Sequence, residues 1–150
     1  MKDKIKLEEV SGYFAHNLEI KITNHERDYV GLKNGIVKGY HFYADILHLS
    51  YIGGSAGKSQ DEMKLILRPL SALTKEIEVD GKQFVPIIEL AEWLLNEEPD
   101  NFDNLLSAKI WLSNIFFHDA DNLPYKLIKK LYEWHLDIHN LIKRGLAIEK

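Results

Sequence analysis

The chain has 150 residues, of which 45% are hydrophobic and 28% charged, values typical of one folded domain with its own core. It contains no cysteine, which excludes disulfides and thiolate ligands and favours a reducing cytoplasm. The net charge is −4, and residues 87 to 121 combine eight carboxylates with the single cation Lys109. No concentrated basic patch is available for duplex DNA, and no apolar run approaches the ~20 residues of a membrane span.

The first half of the chain predicts β structure because apolar and polar residues alternate. In "LEIKIT", from Leu18, every second residue is apolar. The pair Asn34-Gly35 favours positive φ angles and predicts a tight hairpin between strands near residues 28 to 33 and 36 to 51. Asp80-Gly81 predicts a second hairpin within "KEIEVDGKQFVPI".

The second half predicts three helices, because apolar residues recur there at helical spacing. One begins after Pro86 and stops at "NEEPDN", and a second runs from about Asp103 to Phe117. The third extends from Pro124 to Gly145, with an apolar stripe and with Tyr125, Tyr132 and Leu136 pointing away from it. The stripe consists of Leu127, Leu131, Trp134, Ile138 and Leu141. The predicted fold is α+β: an N-terminal antiparallel β region with hairpins and a C-terminal three-helix region packed against it, in one domain over residues 1 to 150.

The stretch "YIGGSAGKSQ" resembles a phosphate-binding loop, in which glycines, a lysine and a hydroxyl surround a nucleotide's phosphates. The candidate residues are Gly57, Lys58 and Ser59. Ile52 stands where the first glycine of the motif belongs, and Pro69 leaves little room for the helix that should follow. The pattern therefore favours a glycine-rich connection over a nucleotide site.

The stretch "KGYHFYAD" has the basic-glycine-aromatic opening of an RNA-stacking strand, with Tyr40 and Phe42 on one strand face. His41 replaces the small residue of that pattern, and Asp45 replaces an aromatic one. Residues 1 to 86 also carry no net charge to attract a nucleic-acid backbone. A core or interface strand is favoured over an RNA site.

Histidines and aspartates supply the metal candidates. His135 and His139 lie four residues apart on the predicted third helix, a spacing at which two imidazoles can share a metal ion. His118 and Asp119 form a His-Asp pair like that of metal-dependent phosphohydrolases, and Asp119 with Asp121 resembles the start of a calcium loop. The completing residues of these motifs are missing, so core-capping histidines and helix-capping acids are favoured and no cofactor is expected.

Three stretches resemble small phage- or prophage-encoded proteins of gut-type bacteria: "YFAHNLEIKI", "LILRPLSALTKEIEVDGKQFVPI" and "KKLYEWHLDIHNLIKRGLAIEK". The resemblance implies an origin in a mobile element and implies neither an activity nor functional residues. We therefore expect a non-enzymatic accessory protein that contacts a protein partner or a second copy of itself. The alternatives are a small metal-dependent hydrolase, a nucleotide-binding protein and a module that binds single-stranded nucleic acid.

Overall fold

The computed structural model describes residues 3–23, 34–43, 45–52, 58–119 and 122–150. The strands are β1 Glu19–Ile22, β2 Asn34–Tyr43, β3 Ile46–Ile52, β4 Lys58–Ser59, β5 Met63–Leu67, β6 Ile77–Val79, β7 Lys82–Phe84 and β8 Ala147–Glu149. The α-helices are α1 Leu7–Val10, α2 Pro86–Glu97, α3 Leu105–His118 and α4 Tyr125–Glu133, and Ser11–His16 and Leu70–Thr74 form 3₁₀ helices. This content confirms the predicted α+β class.

The chain divides into two compact units, the first of which contains Met1–Pro69 and Leu131–Lys150. Its six strands form one sheet in the order β4-β3-β2-β1-β5-β8. All neighbours pair antiparallel except β5 and β8, which are parallel. One face of the sheet carries the core, and the alternation predicted for β1 is confirmed because Ile20 and Ile22 are both fully buried there. The same core cluster includes Val10 and Tyr13 from the N-terminal part of the chain and Leu141 from its C-terminal part.

The hairpin predicted at Asn34-Gly35 is wrong. Both residues belong to β2, where they pair with Lys21 and Ile20 of β1. The strand predicted for residues 36 to 51 is instead two strands, β2 and β3, whose connection includes Asp45 with a φ of 61°. The strand predicted for residues 28 to 33 lies outside the described residues.

Gly35 serves close packing within the sheet and no turn. A Cβ atom at this position would lie 2.5 Å from Cδ2 of Tyr51, a ring that is 1% exposed. Tyr51 of β3 pairs with Val37, two residues along the strand from Gly35, so its ring covers the glycine from the neighbouring strand. An Asn-Gly pair can therefore form a tight turn or place a glycine in a strand beneath an aromatic ring. The local sequence does not distinguish these two structures.

Replacing Gly35 by alanine tests this packing role. We expect Gly35→Ala to lower the free energy of unfolding by about 1–3 kcal/mol, because the added methyl group overpacks a buried ring. Chemical denaturation measures the change. Gly39→Ala on the same strand is the control: its Cβ meets only the Ser50 hydroxyl oxygen, at 2.8 Å, and that side chain can rotate. Equal stability of the two variants would contradict the proposed role of Tyr51.

The second unit, Leu70–Lys130, contains the β6–β7 hairpin and helices α2 and α3. Asp80 and Gly81 have φ angles of 51° and 79°, so the predicted hairpin is confirmed. Helix α2 begins at Pro86, next to the predicted start, and contacts α3. Asn104 caps α3, since its side chain accepts the Ser107 N–H at 2.9 Å. Of the helices within the described residues, none has the length and apolar composition that crossing a bilayer requires.

The third helix is much shorter than predicted, because α4 ends at Glu133 and the chain does not remain helical to Gly145. His135 has a φ of 56°, which no α-helix accommodates. The next residue, Leu136, forms a parallel β-bridge with Arg68, which follows β5. Leu136, predicted to be exposed, is fully buried, and Tyr132 is half-buried, whereas Tyr125 is 71% exposed as predicted.

Candidate functional site

The chain following α4 is held by a set of hydrogen bonds that centre on Arg68. The Arg68 N–H donates to the His135 carbonyl oxygen, and the Asp137 N–H donates to the Arg68 carbonyl oxygen, each at 2.8 Å. The Arg68 guanidinium donates to the Trp134 carbonyl oxygen at 2.8 Å. The Tyr13 hydroxyl donates to the Leu136 carbonyl oxygen at 2.6 Å. The carbonyl groups of the three residues Trp134, His135 and Leu136, which follow α4, are thus satisfied by Arg68 and Tyr13.

Asp137 organises the turns that follow. Its carboxylate is 6% exposed and accepts three backbone N–H groups, those of His139 at 3.3 Å, Leu141 at 2.9 Å and Ile142 at 2.8 Å. Hydrogen bonds to a carboxylate are stronger than neutral ones, and a buried charge is tolerated only when it is satisfied in this way. The carboxylate is therefore committed to the backbone of its own segment.

Removing this carboxylate should destabilise the first unit strongly. We expect Asp137→Ala to lower the free energy of unfolding by about 3 kcal/mol or more, because three N–H groups lose their acceptor. Asp137→Asn should cost less, since one acceptor oxygen remains. Chemical denaturation gives both values, and Lys143→Ala, an exposed neighbour, should change stability by no more than about 0.5 kcal/mol. A near-neutral Asp137→Ala would refute this role.

His135 and His139 do not face a common ion. His135 Nε2 donates to the His16 carbonyl oxygen at 2.6 Å, and His139 Nε2 shares a hydrogen bond with the Tyr132 hydroxyl at 2.9 Å. They no longer share a helix, so the four-residue spacing loses the geometry that would align two imidazoles. Burial lowers the pKa of both histidines below the ordinary value of 6.5.

We expect these two histidines to make the protein less stable at acidic pH. Their pKa values are lower in the folded state than in the unfolded chain, so the unfolded state binds more protons as the pH falls below about 6.5. We expect the melting temperature to fall between pH 7.5 and pH 5. His135→Asn, whose side chain tolerates the left-handed backbone, should flatten this dependence. An unaltered slope in His135→Asn would contradict the assignment.

The other metal candidates lie in the second unit. His118 is the exposed last residue of α3, and Asp119 follows it, with Oδ1 accepting the Asn122 side-chain N–H at 2.7 Å. Asp121 lies outside the described residues. Within the described ranges, no group of three or more histidine, aspartate or glutamate residues is arranged to hold a metal ion.

The phosphate-loop candidates fall on a sheet edge. Lys58 and Ser59 form β4, and the Ser59 N–H and hydroxyl both donate to Glu62 Oε2, at 3.1 and 3.2 Å. Strand β5 follows shortly afterwards, where a phosphate loop would begin a helix. Gly57 lies outside the described residues.

The aromatic candidates share a strand face, as predicted. Tyr40 and Phe42 pair with Leu49 and Leu47, which are fully buried, so both rings stand on the core side of the sheet at its outer end. They are 46% and 39% exposed, and the ring of Phe14 stacks on Tyr40 with a centroid distance of 4.5 Å. The rings therefore extend the apolar side of the sheet, as an interface strand would.

A small polar hollow in the first unit is lined by residues that include Asp3, Gln60, Lys64 and Arg144. Its volume of about 130 Å³ is below the ~300 Å³ at which ligand pockets begin. Arg144 is already paired, with Nε 2.6 Å from Asp3 Oδ2 and Nη1 2.5 Å from Glu9 Oε1. The hollow is a salt-bridged surface joining the two ends of the chain.

Helix α3 carries a row of exposed apolar side chains that was not predicted from the sequence. Its buried side consists of Ala108, Leu112 and Phe116. Leu106, Ile110 and Phe117 are nevertheless 63%, 54% and 47% exposed. With Ser113 they are spaced four, three and four residues apart and define what we term the α3 stripe: Leu106, Ile110, Ser113 and Phe117. That spacing repeats every seven residues, as in the seam between two coiled helices.

The recurring apolar residues predicted a helix from about Asp103 to Phe117 but did not indicate that its apolar residues occupy two faces. The signal was nevertheless present, since a helix that is apolar on two faces must bury the second against something or expose it. The acidic residues at the two ends of the helix are evident in the sequence: Asp103 precedes α3, Asp119 follows it, and both are exposed.

No family model, curated protein or solved structure matches the chain.

Proposed function

We propose that this chain is a non-enzymatic protein-interaction module that binds another polypeptide through the α3 stripe. The resemblance of three stretches to phage and prophage proteins adds a role as an accessory factor of a mobile element. A cytoplasmic setting belongs to the same proposal, because a chain without cysteine suits a reducing compartment.

The exposure of three large apolar side chains in one row carries this proposal. Single exposed apolar residues are common on protein surfaces, but a row at seam spacing is a recurring mode of helix recognition. Trp111, which packs against Phe102 with a centroid distance of 5.5 Å, is itself 36% exposed on another face of the same helix. Aromatic residues of this kind often dominate binding energy at interfaces.

The polar groups of the first unit support the same conclusion from the opposite direction. His135, His139 and Asp137 form hydrogen bonds within the protein, and Arg144 is paired with two carboxylates. Catalytic groups instead converge on a space that a substrate can enter. In contrast, the apolar side chains of the α3 stripe, Leu106, Ile110 and Phe117, are exposed and lie in one row along the helix.

A charge placed in the stripe should abolish binding without unfolding the protein. Ile110→Glu should weaken partner binding at least 10-fold, because complex formation would bury a carboxylate in an apolar contact. Wild type and each variant serve as bait to capture binding proteins from a phage-carrying host, and the amounts captured are compared. The captured protein is then purified, and its affinity for each variant is measured by titration calorimetry.

Asn114→Glu is the matched control, since it adds the same charge at an exposed position of α3 outside the stripe. Both variants should keep the wild-type circular dichroism spectrum and melting temperature to within a few degrees. Equal affinity of the captured protein for wild type, Ile110→Glu and Asn114→Glu would overturn the proposal.

A further inference from the structure

On the basis of the proposed function, we infer that the α3 stripe binds a short, basic amphipathic helix of another protein and not a second copy of this chain. Three properties of the stripe lead to this occupant: its spacing, its size and the charges around it.

The spacing of the stripe favours a helix as its occupant. Leu106, Ile110, Ser113 and Phe117 alternate steps of four and three residues, which keeps them on one line along α3. A second helix crossing at a shallow angle meets such a line with its own apolar residues at the same spacing. The small side chain of Ser113 between Ile110 and Phe117 leaves room for a large residue of the partner.

The size of the stripe favours a short partner. Eleven residue steps separate Leu106 from Phe117, which is about 16 Å along the helix, or three turns. Three partly exposed apolar side chains cover much less than the ~800 Å² per partner of a standard stable interface. A row of this size suits a transient contact with a helical segment, whereas an obligate dimer would require a larger apolar surface.

Charge separates a foreign helix from a second copy. Residues 87 to 121 contain eight carboxylates and one lysine, a balance of −7 in the sequence, and two of these carboxylates, Glu89 and Glu98, are paired with lysines outside the segment. Within this segment, Asp103 lies before the stripe and Asp119 after it, so both ends of the stripe are acidic. Pairing two copies of α3 would bring carboxylates opposite carboxylates whether the helices ran parallel or antiparallel, and like charges at an interface oppose association. A helix with lysine or arginine beside its apolar row is attracted at both ends.

Selection from a peptide library tests this inference directly. A displayed library of 16-residue helical peptides, with hydrophobic residues at seam spacing and random flanking positions, is selected on the wild-type protein. We expect enrichment of lysine and arginine at the flanking positions. The selected peptides should bind Ile110→Glu at least 10-fold more weakly than Asn114→Glu, and their affinity should fall at least 10-fold between 50 and 500 mM NaCl.

Neutralising the acidic ends provides a second measurement. The double variant Asp103→Asn with Asp119→Asn should lose about 3- to 10-fold in affinity for the basic peptides, mostly through slower association. The control is Glu76→Gln with Asp80→Asn, which removes two carboxylates beside the β6–β7 hairpin and should leave the affinity unchanged.

The remaining outcomes distinguish the two proposals. Selected peptides that are neutral or acidic, or a wild-type dimer in light scattering that Ile110→Glu dissociates, would overturn the basic-helix inference while leaving an interaction through the stripe in place. Absence of any peptide binding, self-association or host-protein capture that depends on Ile110 would overturn both.

Discussion

The buried carboxylate of Asp137 is the constraint on which the C-terminal part of the first unit depends. By accepting the N–H groups of His139, Leu141 and Ile142, it closes the turns that place Leu141 in the core. The chain then reaches β8, which pairs with β5 at the edge of the sheet. The segment between Leu136 and β8 forms no helix or strand. Several of its backbone N–H groups therefore depend on this carboxylate for a hydrogen-bond acceptor.

A contact between distant parts of the chain explains why an apparently helical sequence is not a helix. From Leu127 to Leu141 the apolar residues recur at helical spacing, and local propensity favours continuation. The helix ends because Leu136 bridges to Arg68, a residue more than sixty positions earlier in the chain. Long-range pairing of this kind overrides periodicity, and its partner cannot be identified from the local sequence.

The parts of the fold that the sequence predicted are those fixed by local chemistry. Pro86 begins α2, Asp80-Gly81 forms its hairpin and β1 buries every second residue, because each depends on neighbours within a few positions. Gly35 failed as a turn signal because its requirement comes from Tyr51 on another strand. The predicted helical alignment of His135 and His139 was wrong for a similar reason, since it depended on a helix that ends before them.

Helix α3 presents the opposite case, because its own sequence contains the apolar residues of both faces but does not determine which face is buried. Considered from its sequence alone, a helix with apolar residues on two faces can be fully buried, or it can bury one face and expose the other to a partner. The structure resolves this for one side, since Ala108 and Leu112 are fully buried while Ile110 between them remains more than half exposed. We propose that the carboxylates of residues 87 to 121 offset the cost in solubility of this exposure, because like charges oppose association. In the same proposal, these carboxylates disfavour pairing of two copies and favour a cationic partner, so solubility and specificity follow from one distribution of charge.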